Sequence, residues 1–257
     1  MIDIDSYAYS NHLKKIHPGE KLLFAMLTMA VCLTAPTVIT PLIVLALMAG
    51  GIIFKAGIPA RIFLKLMLVP LSFLLISVFT IAFSISTSPL GFWMAQTMNG
   101  LTVGIRYPDL ITAVQLFLRS LGAVSCLYFL ALTTPMTEII TVLHKLKVPV
   151  IITELMVLVY RFIFVFMETA ITINNAQSPR LGYVSLKTSY RSLSRLFSAL
   201  LGKVFVKSQE LYNAMAARCY MGEIRVLSKK HPVSLRNYLL IAGLELPLIL
   251  LNLLGRR

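Results

Sequence analysis

The side chains that most often do chemistry are few in this chain and lie far apart. They comprise four histidines and three cysteines: His12, His17, His144, His231, Cys32, Cys126 and Cys219. No two of them share a helix turn or form a Cys-x-x-Cys pair, so their spacing predicts neither a metal site nor a disulfide framework. The sequence also contains no glycine-rich phosphate loop and no nucleophile elbow. We therefore expect no catalytic residue, no metal ligand and no cofactor.

Two short runs of small residues that end in arginine carry the remaining chemical signal. The first is Ala176-Gln-Ser-Pro-Arg180-Leu-Gly182, and the second is Ala216-Ala217-Arg218-Cys219. Small side chains let another protein approach a helix closely, and a guanidinium can then pair with carboxylates or carbonyl oxygens of that partner. Most arginines on a basic helix simply lie in water. The residues alone therefore leave both a contact role and plain solvation open.

The composition around these runs is that of a membrane protein. Apolar residues make up 58% of the chain and charged residues 13%, and the mean hydropathy is +0.83, whereas a soluble domain carries about 25% charge. The net charge is +14. However, the basic residues avoid the apolar runs and gather in a few connecting segments. That distribution indicates cytoplasmic loops rather than a nucleic-acid surface.

The apolar runs predict about five transmembrane helices. Residues 22–35 and 38–54 are each short against the ~20 residues that cross a bilayer. They form either one kinked span or, as we favour, a hairpin that turns at Pro36 and Pro41. Further spans are predicted at about 66–85, 110–132 and 239–254. Arg119 lies within the fourth span, where it either has a functional role or faces a polar spot in the bundle.

The segment between the fourth and last spans has a different pattern. Residues 135–147 place apolar side chains at helical spacing, which predicts an amphipathic helix at the membrane interface. The apolar run 150–173 carries Glu154, Arg161 and Glu168 at a spacing of seven, which puts them on one stripe of a helix. This helix either leans out of the bilayer, as we favour, or forms one more span. From 176 to 236 the periodicity stays helical and amphipathic.

Charge predicts the orientation of these segments. Residues 135–236 hold fourteen Lys or Arg against five Glu, which places them in the cytoplasm with the basic segments 1–21 and 55–65. The segment around 86–108 is poor in basic residues and is expected outside. The predicted fold class is therefore an all-α membrane protein in three parts. These are a four-span bundle at 1–134, long amphipathic cytoplasmic coupling helices at 135–236, and a last transmembrane helix at 237–257.

Three segments resemble the CbiQ family, the transmembrane components of energy-coupling-factor transporters of the cobalt type. They are Asp5-Ser-Tyr-Ala-Tyr-Ser-Asn-His-Leu-Lys-Lys-Ile-His-Pro-Gly-Glu-Lys21-Leu, Arg180-Leu-Gly182, and Ala214-Met-Ala-Ala-Arg-Cys-Tyr220. In that family two Ala-Arg-Gly-like motifs end long coupling helices, and each docks in a groove of an ATP-binding subunit. The resemblance implies that Arg180 and Arg218 take the two arginine positions. It also places four small residues beside them: Ala176, Gly182, Ala217 and Cys219. Cys219 stands where Gly is usual.

The resemblance also implies a function and a set of partners. The chain would be the membrane scaffold of an ATP-driven importer of cobalt or nickel ions in the bacterial inner membrane, and not itself an enzyme. Its partners would be two ATP-binding (ABC ATPase) subunits and a substrate-specific membrane subunit that binds Co²⁺ or Ni²⁺. Two alternatives stay open: a self-contained membrane carrier, and a transmembrane component for a vitamin-type substrate.

Overall fold

A computed structural model describes residues 4–86, 92–98, 101–220 and 234–255, with side chains at 5–81, 108–220 and 234–255. His231 and residues 221–233 of the predicted coupling region lie outside this part. The described helices are α1 (Ile4–Ser10), α2 (Pro18–Thr34), α3 (Ile39–Gly50), α4 (Ala60–Ala82), α5 (Tyr107–Thr133), α6 (Met136–Lys145), α7 (Val150–Gln177), α8 (Leu186–Ala216) and α9 (Leu235–Leu254). The predicted all-α membrane class is confirmed.

Shorter elements connect these helices. His12–Lys15 forms a 3-10 turn, and α3 continues into a five-residue π-helical turn at Gly51–Lys55. A small antiparallel sheet joins α4 to α5 in the segment expected outside, and its strand order is β1-β3-β2. The strands are β1 (Phe83–Ser86), β2 (Phe92–Met98) and β3 (Leu101–Arg106). This sheet was not among the sequence predictions.

Four of the described helices, α4, α5, α7 and α9, are long and apolar enough to cross a membrane. The stretch Ile39–Lys55 is apolar but shorter. α4 begins at Ala60 rather than at the predicted Leu66, so Arg61 and Lys65 lie within the helix. Long basic side chains near a helix end can keep their charge in water while their stems cover apolar surface. α2 and α3 are separate helices that pack against each other, so the chain turns at Pro36 as a hairpin requires. Pro41, which was predicted at the turn, lies in the first turn of α3 instead.

The chain divides into two compact units. The first, the bundle unit, comprises Met1–Ile139 and Lys229–Arg257, and the second, the hairpin unit, comprises Ile140–Ser228. In the bundle unit α5 packs against α2, α3 and α4. Its core includes Met48, Ile52, Cys126, Phe129 and Leu132, all at most 6% exposed. Apolar burial along α5 therefore organises the first unit.

Polar contacts fasten the last helix, α9, to α2. They join Asn237 Nδ2 to Glu20 Oε2 (2.7 Å), Thr28 Oγ1 to Glu245 Oε1, and Asn252 Nδ2 to the carbonyl of Val31 (3.1 Å). The contacts follow the same chain order on both helices, so α2 and α9 run parallel. Inside hydrocarbon such contacts remain because an unpaired polar group there is costly. The polar side chains of α9 thus pair this helix with α2.

The N-terminal segment closes one end of the bundle. The buried amide of Asn11 donates from Nδ2 to the carbonyls of Leu132 (3.3 Å) and Thr133 (3.2 Å), at the end of α5. The Lys21 ammonium, 3% exposed, donates to the same Thr133 carbonyl at 2.9 Å. These bonds satisfy carbonyls that the last turn of a helix leaves without an intrahelical partner. The segment that holds Asn11 and Lys21 is therefore packed into the fold of the bundle unit.

The hairpin unit is an antiparallel pair formed by α7 and α8. At one end the Gln177 side chain donates from Nε2 to the Ser192 carbonyl at 3.2 Å. At the other end the Tyr220 hydroxyl donates to Glu154 Oε2 at 2.7 Å. Midway, Val165 of α7 and Gly202 of α8 line the same cavity. The two helices therefore lie side by side along most of their length.

Candidate functional site

Arg180 lies where α7 ends, in a tightly hydrogen-bonded cap. The amide of Gly182 donates to the carbonyl of Gln177 (3.1 Å), and the amide of Leu181 donates to that of Ser178 (3.2 Å). This pair of bonds is the Schellman motif, in which the residue after the C-cap adopts a left-handed conformation. Leu181 does so with φ 57°. Arg180 directly precedes the left-handed residue, and its own amide donates to the Gln177 carbonyl (3.2 Å), so its backbone is held by bonds on both sides.

The loop that follows Arg180 is attached to the first turns of α8. The Ser192 hydroxyl donates to the Gly182 carbonyl (2.9 Å), and the Tyr183 hydroxyl donates to Gln177 Oε1 (2.8 Å). A Cβ atom on Gly182 would lie 2.8 Å from Ser192 Oγ and 2.9 Å from the Gln177 carbonyl oxygen. Both contacts are too close for any side chain larger than hydrogen. Gly182 is therefore required by packing, which gives this predicted site residue a physical reason.

Arg218 lies at the end of α8 in the same kind of cap. The amide of Tyr220 donates to the carbonyl of Met215 (3.1 Å), and the amide of Cys219 donates to that of Ala216 (3.1 Å). Cys219 adopts the left-handed conformation with φ 54°. The cap explains why a glycine suits the residue after this arginine, because glycine alone enters that conformation without a steric cost. Cys219 takes the same backbone shape at some cost.

The hydrogen bonds of the two caps align them residue by residue. Arg180 matches Arg218, and Leu181 matches Cys219. Pro179, not Ala176, takes the place of Ala217, since each directly precedes its arginine. Ala176 instead lies inside α7 and is exposed. The docking role assigned to all six predicted residues stays a prediction.

The cap by itself does not specify an arginine. α6 ends in the same arrangement, with Lys147 in the left-handed conformation (φ 62°) and the amide of Val148 bonded to the Leu143 carbonyl at 3.3 Å. Leu146 occupies the position that Arg180 and Arg218 occupy in the other two caps. The arginines at the ends of α7 and α8 are therefore a separate feature of the sequence. Neither Leu181 nor Cys219 is of a residue type that marks a left-handed conformation in the sequence.

Both guanidinium groups are available for an external partner. Arg180 and Arg218 are exposed, and neither pairs with a carboxylate among the residues that the structure describes. A cation at a helix C-terminus is favoured by the partial negative charge of the last carbonyls. This attraction does not bury the guanidinium groups, which stay exposed to solvent. Each helix end thus presents one positive group on an ordered backbone.

The antiparallel pairing holds the two arginines far apart. Ser192 contacts the Arg180 loop, and α8 from Ser192 to Ala216 covers roughly 36 Å, at about 1.5 Å per residue. The Tyr220–Glu154 hydrogen bond ties the Arg218 cap to the opposite end of α7. The same bond raises the pKa of the Tyr220 hydroxyl, because the Glu154 carboxylate accepts a hydrogen bond that only the protonated hydroxyl can donate. One hairpin thus presents two similar contact points tens of ångströms apart.

The three charged residues of the stripe predicted on α7 differ in their surroundings. Glu154 is 8% exposed and accepts the Tyr220 hydrogen bond, whereas Arg161 and Glu168 are exposed. Among the described residues, no three His, Cys, Asp or Glu side chains lie close enough to hold a metal ion. The stripe thus stabilises the hairpin at one position.

Comparison with known proteins agrees with this architecture. A family model described as CbiQ, cobalt transport protein, matches residues 9–229. The chain is 32% identical over 253 residues to an uncharacterized protein of Methanocaldococcus jannaschii, which covers 98% of this chain and 93% of that protein. It is 30% identical over 226 residues to the cobalt transport protein CbiQ of Salmonella typhimurium, and this match covers 88% of this chain and 100% of that protein. It is 28% identical over 231 residues to the cobalt transport protein CbiQ of Rhodobacter capsulatus, and this match covers 90% of this chain and 89% of that protein. The chain is therefore a multi-pass membrane protein that belongs to the CbiQ family of cobalt transport proteins.

Proposed function

We propose that this protein is the membrane scaffold of an ATP-driven importer of cobalt or nickel ions, of the energy-coupling-factor type. Two ABC ATPase subunits each bind one arginine-bearing helix end, and a separate membrane subunit holds the metal. The observation that carries the proposal is the pair of matching caps around Arg180 and Arg218, exposed at opposite ends of one hairpin. One rigid element that contacts two copies of a partner needs two similar contact points, and the hairpin has them.

The location of α7 supports this role. α8 carries five cations that could not enter hydrocarbon together: Lys187, Arg191, Arg195, Lys203 and Lys207. Each would cost about 2.5–3.5 kcal/mol at the centre of a bilayer. α7 lies beside α8 along most of its length, so we infer that both run along the cytoplasmic side of the membrane. The cations of α8 thus favour a helix α7 that leans out of the bilayer over one that spans it, although α7 is long and apolar enough to cross.

The mechanism follows from the stiffness of the hairpin. ATP binding and hydrolysis change the distance between the grooves of the two ATPase subunits, and the helix ends follow because their arginines make directional, charge-assisted contacts. The caps fix the backbone on both sides of each arginine. A displacement of the groove therefore moves the whole helix rather than bending a loose terminus. The hairpin transmits this motion to the spans and to the metal-binding subunit.

The substrate and the location are inferred from the relatives. The Salmonella and Rhodobacter relatives are named cobalt transport proteins, so cobalt is the proposed substrate, with nickel as the next choice because its divalent ion is closely similar. The relatives come from bacteria and an archaeon. We therefore place the protein in the cell membrane, which for a bacterium is the inner membrane. Vitamin-type substrates are less favoured by these names.

A self-contained carrier is the second candidate function, and helix packing argues against it. A carrier needs polar side chains that converge on a pathway near the middle of the membrane. Glu245 and Asn252 are the acidic and amide side chains of α9 within its span. Both are buried and bonded to α2. Reconstituting the chain alone and measuring metal flux separates the two functions, since a scaffold moves no metal without its partners.

The docking contacts can be tested by charge reversal in the co-expressed complex. Arg180→Glu and Arg218→Glu should each reduce the ATPase recovered with the tagged chain by about tenfold or more, since reversing one charge of a close pair costs several kcal/mol. The double variant should abolish cobalt uptake while the yield in the membrane stays unchanged. Lys203→Glu is the matched control, because it reverses an exposed charge near the middle of α8, at least ten residues from Ser192 and from Arg218. Full ATPase recovery with the double variant would show that the docking assignment is wrong.

A further inference from the structure

A pocket in the bundle unit lies between α2, α3 and α9. It has a volume of about 390 Å³, and aromatic and leucine side chains form its walls: Phe24, Phe54, Phe129, Leu240 and Leu244. Phe54 is 85% exposed, so the pocket is open beside this ring. Gly50 and Gly51 line it where α3 passes into the π-helical turn. The absence of side chains at these two positions leaves room that the flanking helices do not fill.

Charged groups lie at one end of this apolar pocket. Glu20 lines it, but its carboxylate already accepts bonds from the Ser234 amide (3.0 Å) and from Asn237 Nδ2 (2.7 Å). Lys21 lines it too and donates to the Thr133 carbonyl. Lys55 is exposed, lines the pocket, and forms no ion pair with the residues that the structure describes. Glu138 also acts electrostatically on Lys21, so Glu20 and Glu138 offset Lys21 and Lys55 in number. Lys55 is nevertheless exposed and without an ion pair among the described residues, so its charge is available at this end.

Two further cations flank the same end. Leu13 and Ile16 both line the pocket, and the residues between them, Lys14 and Lys15, are exposed on the 3-10 turn. These segments belong to the side of the membrane that the distribution of basic residues assigns to the cytoplasm. The pocket thus combines an apolar groove at the depth of the inner leaflet with a cationic rim at the surface of that leaflet.

We propose that this pocket binds an anionic phospholipid of the cytoplasmic leaflet, with an acyl chain along Phe24, Phe129 and Leu244 and the headgroup phosphate at Lys55. Charge complementarity selects this occupant, since basic pockets between transmembrane helices on the cytoplasmic side recognise anionic headgroups. A lipid there joins α2, α3 and α9 at the end of the bundle where the N-terminal segment closes it. The proposal does not depend on ATPase docking.

Glycine substitutions make the proposal testable by steric filling. A Cβ atom on Gly50 would meet only the Phe54 ring, at 4.0 Å, so Gly50→Leu can extend into the pocket without moving the backbone. Gly243 of α9 is exposed, and a Cβ there would meet nothing within 4 Å. Gly243→Leu therefore adds the same side chain to the same unit away from the pocket, and it is the matched control.

The experiment is native mass spectrometry of the purified, delipidated chain with equal amounts of phosphatidylglycerol and phosphatidylethanolamine. The unmodified chain should retain one phosphatidylglycerol in preference to phosphatidylethanolamine. Gly50→Leu should lose this adduct, and Gly243→Leu should keep it. Lys55→Gln changes only an exposed side chain, so it should fold normally. It should weaken phosphatidylglycerol binding about fivefold, the factor that one lysine contributes near an anionic surface, and leave phosphatidylethanolamine unchanged.

Several results would overturn the proposal. Equal adducts of the two lipids would remove the role of the cationic rim, as would a Lys55→Gln variant that keeps its preference. A Gly50→Leu variant that elutes and melts like the unmodified chain but retains the adduct would show that lipid binds elsewhere. If that variant instead kept the lipid and lost only assembly with its partner subunits, the pocket would belong to a protein helix and not to a lipid.

Discussion

Replacing Cys219 with glycine should strengthen the cap that holds Arg218. Cys219 has φ 54°, and the left-handed region costs a residue with a Cβ atom roughly 1–2 kcal/mol. Glycine has no such steric cost, but it loses more conformational entropy when the cap closes, and this loss offsets about 0.5–1 kcal/mol of the gain. The closed cap of Cys219→Gly should therefore gain about 0.5–1 kcal/mol, and its opening equilibrium should fall about two- to fivefold.

Hydrogen exchange measures this opening directly. The Tyr220 amide donates to the Met215 carbonyl at 3.1 Å only while the cap is closed, so its exchange rate reports the open fraction. In Cys219→Gly this amide should exchange two- to fivefold more slowly, by the same estimate. Cys219→Ala is the control, because it removes the thiol but keeps the Cβ atom that causes the cost. Its exchange rate should match that of the unmodified chain.

The comparison of these two variants decides the argument. If glycine and alanine slow the exchange equally, the thiol and not the backbone conformation limits the cap. If glycine speeds the exchange, residue 219 is not held in the left-handed conformation at all. Either result would remove the physical basis for treating the Arg180 and Arg218 caps as equivalent.

Three further substitutions test the contacts around the caps and the bundle. Gly182→Ala should open the Arg180 loop at a cost of about 1–3 kcal/mol, because the new methyl group clashes with a backbone carbonyl, and trypsin should then cleave after residue 180 faster. Tyr220→Phe should lower the melting temperature of the purified chain, since it removes the hydrogen bond to α7, whereas Tyr212→Phe, on an exposed part of α8, should not; equal melting of the two variants would contradict this contact. Glu20→Ala and Asn237→Ala should each destabilise the bundle by about 1–3 kcal/mol, and a double variant no worse than either single one would confirm that the two side chains act as a pair.

Several features were predictable because they depend on local composition. Long apolar runs identify membrane helices, since transfer from water to hydrocarbon is a sum over neighbouring residues. The hairpin of α2 and α3 was predicted from two prolines. Pro36 lies in the turn between the two helices, and Pro41 lies in the first turn of α3, where a missing N–H does little harm. α6 was predicted from its periodicity alone, and Met136–Lys145 is helical. The arginines at the helix ends were recognised from small residues nearby and from a family pattern.

The conformation of the caps could not be predicted in the same way. Neither Leu181 nor Cys219 signals a left-handed residue, because that backbone shape usually goes with glycine. It is imposed by hydrogen bonds that close only when the helix end and the following chain are both in place.

The sequence by itself determined that this is a membrane protein with a strongly basic segment between its apolar runs, since hydrophobicity and charge act residue by residue. Only the tertiary structure decided which faces meet. Asn237 donates a hydrogen bond to Glu20, and Thr28 donates one to Glu245, although more than two hundred residues separate each pair. Likewise, α8 folds back along α7, so that Arg180 and Arg218 lie at opposite ends of the hairpin. Such pairings depend on how whole helix surfaces fit together, and no local pattern of residues contains that information.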